Sequence, residues 1–83
     1  MTYQSKMSNI IATIKEAISL ALNEAQYNLS VEIHELTKTG QTFKVIGTYK
    51  VAPLFTTRTG RLNVTLIQSE KGLEIMSLKI DED

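Results

Sequence analysis

The chain has 83 residues, with nine basic and nine acidic side chains, no net charge, no cysteine and one histidine. That length fits a single domain over 1–83, burying only about 60–65% of the surface its unfolded form would expose. Without thiols there is neither a disulfide staple nor a cysteine-based zinc site, a usage that suits a reducing cytoplasm. No apolar stretch approaches the roughly 20 residues of a transmembrane helix. The opening MTYQSKMSN lacks the cationic segment and apolar core of a signal peptide. A soluble, unprocessed, cytoplasmic protein without membrane contact is therefore expected.

The first element is a helix over residues 8–26. At about 100° per residue, Met7, Ile10, Ile11, Ile14, Ala17, Ile18, Ala21, Leu22 and Ala25 fall in one apolar stripe. Lys15, Ser19, Asn23 and Gln26 lie opposite, and Leu20 is the one large apolar residue off the stripe. Ser8 is the expected N-cap and Asn28 the expected stop, since Asn tolerates the left-handed conformation that ends many helices.

The period then changes to two. Leu29, Val31 and Ile33 alternate with polar residues, as do Phe43, Val45, Tyr49 and Val51, and then Leu62, Val64 and Leu66. The last run, LEIMSLKI, is apolar on both parities: Leu73 and Ile75 on one, Met76, Leu78 and Ile80 on the other. Thr39-Gly40, Thr59-Gly60 and Lys71-Gly72 each place glycine where a tight hairpin needs positive φ. The pattern predicts an α+β fold, one N-terminal helix packed on a four-stranded antiparallel β-meander, with a frayed tail at 81–83.

The segment APLFTTR joins the second and third strands. Pro53 has no amide to donate to a ladder, so the chain bends there or runs along an edge; Gly47 marks a second irregularity such as a bulge. Leu54 and Phe55 either fold back to close one end of a small core or anchor a partner, with Arg58 and Arg61 as a charged rim. On the sheet face turned from the helix, the alternation places Leu36, Ile46, Ile67, Met76, Leu78 and Ile80. Either that face is an apolar patch buried in a homodimer or the last strand shifts register.

Charge is uneven along the chain. Residues 36–69 carry Lys38, Lys44, Lys50, Arg58 and Arg61 with no acid, while acids predominate on both sides. This marks either a basic face for an anionic partner or neighbouring strands that pair opposite charges.

Little supports catalysis. His34 is the only candidate base of a triad, and both aspartates, Asp81 and Asp83, lie in the tail. Glu32 and His34 share a strand face but make too few ligands for a metal. Glu32 and Glu35 point to opposite faces and so form no acid–base pair. No phosphate-binding glycine motif is present, and no cofactor is expected. A basic face with Lys44, Thr48 and Lys50, extended by Arg58 and Arg61, suits a phosphate backbone, but Phe43 and Tyr49 fall on the other face and supply no stacking platform.

The run VEIHELTKTGQTFKVIGTYKV, residues 31–51, resembles the strand–turn–strand segment of the gas vesicle protein O family, matching at Val31, Glu32, Glu35, Tyr49 and Val51. That family's basic, tyrosine-containing last strand is absent, since this chain ends LKIDED. The helix-then-meander order is similar to PepSY-type domains. Both resemblances imply a non-catalytic accessory role and bring no functional residue with them. The expected function is a small accessory or assembly module acting by protein–protein interaction and self-association, through Leu54, Phe55, Arg58, Arg61, Ile46 and Ile67. The alternative is a weak nucleic-acid or anion binder using Lys44, Lys50, Arg58 and Arg61.

Overall fold

A computed structural model of the chain describes residues 2–83, with side chains from Met7 onward. Helix α1 (Thr2–Leu22) is followed by a 3-10 turn (Gln26–Asn28) and four strands, β1 (Leu29–Thr39), β2 (Thr42–Val51), β3 (Arg58–Ser69) and β4 (Gly72–Glu82). The strands pair antiparallel in chain order, β1-β2-β3-β4. The expected architecture is the one found: one helix on a four-stranded meander.

Ile10, Ile14 and Ile18 carry the helix's contact with the sheet, and all three are fully buried. They meet Leu29, Phe43, Val45, Tyr49, Val51, Leu62, Val64 and Leu66 from the covered sheet face. Leu20 stays outside this stripe and exposed, as its angle requires.

The helix bounds differ from the expectation. Ser8 lies inside α1 rather than at its cap, and the stop comes at Asn23 instead of Asn28. Asn23 has φ +57°, and the Glu24 amide donates to the Ser19 carbonyl at 3.0 Å. That is the long-range bond of a Schellman ending, so the reasoning applied to Asn holds one asparagine earlier. Ser19, expected on the solvent side, is buried, and its hydroxyl donates to the Glu16 carbonyl at 2.8 Å.

Gly40 (φ +62°) and Gly72 (φ +113°) lie at the two tight hairpins, as expected. Gly60 does not. It lies within β3, between Tyr49 of β2 and Glu82 of β4. A Cβ there would lie 2.5 Å from the Tyr49 ring, so glycine is required by packing and not by a turn. The β2–β3 connection is the segment 52–57 around Pro53.

Two bulges correct the assignment of faces. In β1, Ile33 pairs with Gly47 and Glu35 with Ile46, so His34 is the extra residue. In β4, Ser77 pairs with Thr65 and Ile75 with Leu66, so Met76 is extra. Each bulge inverts the parity beyond it. Leu36 therefore opposes buried Val45 on the helix side, and Leu73, Ile75, Leu78 and Ile80 all pack against one core. Glu35 joins Glu32 on the outer face, contrary to the expectation of opposite faces. The apolar outer patch that simple alternation predicts thus loses Leu36, Leu78 and Ile80.

The end of the chain is not frayed. Asp81 faces Arg61 and Glu82 faces Gly60 in the ladder, and the Asp83 amide donates to the Thr59 carbonyl at 2.9 Å. Opposite charge explains the order: the basic start of β3 lies beside the acidic end of β4.

Candidate functional site

Strand β2 stops at Val51 because the next residues approach Pro53, which has no donor for a ladder. The chain leaves the sheet as the loop 52–57. Its base is secured twice. The Ala52 amide donates to the Asn28 carbonyl at 3.0 Å, which ties the loop to the 3-10 turn. Arg58 then closes the other side: its Nη2 and Nε donate to the two Glu82 carboxylate oxygens at 2.8 and 3.3 Å. Its Nη1 lies 3.6 Å from Glu24, in the link after α1. The fork geometry of the guanidinium matches one carboxylate while leaving a third nitrogen for another. The hydrogen bond to Arg58 holds the Glu82 carboxyl below its ordinary range and raises the guanidinium in turn.

On this anchored base the apolar side chains point outward. Leu54 is 86% exposed and Phe55 98%, and across the Ala52–Asn28 bond Tyr27 is 89% exposed. Of the two alternatives for Leu54 and Phe55, closure of the core is not adopted. Tyr27 escaped the sequence reading. Its signal is an aromatic between Gln26 and Asn28, in a polar link that belongs neither to the helical stripe nor to an alternating strand.

The remaining candidates are dispersed. Ile46 and Ile67 lie on the outer face of β2 and β3, Ile46 45% exposed and Ile67 half-buried, separated from each other and from the loop. Arg61 lies 3.4 Å from Asp81, so both arginines face carboxylates and do not stand as a free rim. Lys44 and Lys50 are exposed on β2, and among the described residues neither has a carboxylate within salt-bridge distance. Acids on the same sheet face, Glu32 and Glu35 on β1 and Glu74 and Asp81 on β4, flank them. An open depression of about 420 Å³ crosses this face, lined by Ile46, Arg61, Asn63, Lys79 and Asp81 among others.

His34 reaches the Thr48 hydroxyl at 3.1 Å, with Glu32 at 3.8 Å, all on exposed surface. Among the described residues, no three His, Cys, Asp or Glu side chains converge as metal ligands, and no helix is long and apolar enough to cross a membrane. Comparison of the chain with protein-family models, with curated proteins and with solved structures returns no match.

Proposed function

We propose that this chain is a small non-catalytic interaction module of the cytoplasm, an accessory or assembly protein that docks through Tyr27, Leu54 and Phe55. The observation that carries this reading is the near-complete exposure of Phe55 on a loop whose base is tied down by Arg58 and Asn28. Leaving a large apolar side chain in water forgoes about 1.5–3 kcal/mol. In a domain whose whole stability is on the order of 4–12 kcal/mol, that is a heavy concession. A partner pocket that takes up Leu54 and Phe55 recovers it, and a fixed loop base keeps the ordering cost of docking low. The cysteine-free composition suits the reducing compartment.

A second reading rests on Lys44 and Lys50, exposed and without an acid partner: a weak anion binder of the sheet face. Acids on both flanking strands weaken it, because an extended polyanion laid on β2 and β3 meets repulsion on either side.

Tagged chain expressed in its own cells separates the two. Capture is run with nuclease, using the unaltered chain, Leu54→Ala with Phe55→Ala, and Lys44→Glu with Lys50→Glu. Docking through the loop predicts that the first pair loses bound protein about 30-fold or more while the second pair keeps it. Loss of every partner to nuclease, or to the lysine pair alone, transfers the function to the sheet face.

A further inference from the structure

Resting on the docking reading above, we infer that the occupant of the Tyr27–Leu54–Phe55 end is a second copy of this chain, held in a two-fold contact of like ends.

Three observations point to self-pairing. The first is charge. The two segments that form the end, 25–28 and 52–57, contain no charged residue at all. The charged residues that adjoin these segments in the chain, Glu24 and Arg58, face one another at 3.6 Å, and Arg58 is also held by Glu82, while the exposed Lys50 before them lies on the outer sheet face. A surface recognising a charged partner would display unpaired complementary charge. A two-fold interface instead sets each group near its own copy, and an uncharged patch is what makes that free of repulsion.

The second is area. Two nearly bare aromatics and a leucine offer on the order of 500 Å² per copy, so two ends meeting remove about 1,000 Å² from water. That is the lower bound of a specific interface, the size of a weak, reversible pairing.

The third is that the other ways two copies could meet are blocked. Both edge strands are interrupted by bulges, at His34 and at Met76, and carry charge along their length, which defeats edge-to-edge pairing. The outer face, once the bulges return Leu36, Leu78 and Ile80 to the helix side, mixes acids and bases with only Ile46, Ile67 and Met76 as large apolar groups. Two such faces brought together would bury unpaired charge.

The test is sedimentation velocity of the full chain over a concentration series. The expected result is a monomer–dimer equilibrium with a Kd on the order of 10–100 μM, matching an interface of minimal size. Phe55→Asp, and independently Leu54→Ser, weaken it about 30-fold or more with an unchanged thermal melt, while Ile67→Lys on the outer face leaves it intact. Four outcomes overturn the inference: a monomer throughout the series, a dimer that survives Phe55→Asp, a dimer lost in Ile67→Lys, or growth beyond the dimer, which signals a head-to-tail contact. Co-sedimentation of the monomer with phosphatidylcholine vesicles, abolished by Phe55→Asp, overturns it in favour of a lipid surface. A chain that stays monomeric yet loses captured proteins in Leu54→Ala with Phe55→Ala refutes self-pairing alone, so the two readings fail separately.

Discussion

At the level of single residues, the tightest constraints are the two glycines inside the sheet. Gly47 faces the backbone of β1 where the bulge begins: a Cβ there would collide with the Glu32 carbonyl oxygen, and backbone cannot swing aside. Gly60 faces the ring of Tyr49, which is only 2% exposed and whose hydroxyl has no hydrogen-bond partner among the described residues. A bare buried hydroxyl is costly, so Tyr49→Phe is expected to leave stability unchanged or to raise it by up to about 1 kcal/mol. Gly60→Ala overpacks the same spot and is expected to cost about 1–3 kcal/mol. Denaturant titration of both variants checks the pair, and a destabilised Tyr49→Phe would mean that the hydroxyl is satisfied by something such as a bound water. Burial pushes the Tyr49 hydroxyl above its ordinary pKa, and the Glu82 carboxylate pushes the same way. The folded state then holds that proton more tightly than the unfolded chain. Its contribution is complete below the unfolded value of about 10 and is lost as pH rises through the folded one, so the alkaline fall in stability should be shallower in Tyr49→Phe.

Among the elements, periodicity made the helical stripe and all four strands legible, since alternation and a 3.6-residue period rest on the same burial that folds the chain. What it could not locate was the extra residue in β1 and in β4. A bulge adds one position without changing composition, and LEIMSLKI reads apolar on both parities only because Met76 separates two runs that share a face. Likewise Thr59-Gly60 has the sequence of a turn, and its use inside a strand depends on a ring arriving from β2, a contact outside any local window. The loop 52–57 was legible as a break at Pro53, but the direction of Phe55 was not, because exposure of an apolar residue contradicts the rule used to read everything else. The bulge also makes a prediction. Deleting Met76 joins Ile75 to Ser77 and Leu78 in regular alternation, so the core set is kept and the chain should still fold with a cooperative melt. Deleting Lys79 instead turns the half-buried Ile80 outward and Asp81 inward, losing about 1 kcal/mol for the isoleucine alone. Circular dichroism melts compare them, and equal damage from both deletions would refute the parity argument. Loss of the β4 bulge should also raise aggregation, since the edge becomes a flat, regular template.

For the molecule as a whole, the helix is the piece that makes a sheet into a domain. A four-stranded meander closes by local hairpins, and its two edges never meet; α1 approaches both β1 and β4, so it alone spans the sheet. Its grip is three isoleucines at every fourth residue, with Ile14 in the middle and completely buried. Ile14→Ala removes methylene groups from the centre of that contact, where neighbours on both sides hold the backbone apart and resist collapse. The expected cost is about 2–5 kcal/mol, a large share of a stability on the order of 4–12 kcal/mol. At roughly 4–8 °C per kcal/mol for a domain of this size, the melting temperature should fall by about 8–40 °C. Leu20→Ala, nearly two turns further along but facing solvent, should change stability by no more than about 0.5 kcal/mol. The shape of the transition matters as much as its position. If helix and sheet share one core, the loss of helical signal and the opening of the β2 and β3 amides to hydrogen exchange should move together in Ile14→Ala. A sheet that keeps its protection after the helix has melted would mean that the meander stands alone and that α1 is only laid upon it. The burial of Val45, Val64 and Leu66 beneath the helix argues against that, because a detached helix would leave the whole apolar face of the sheet in water.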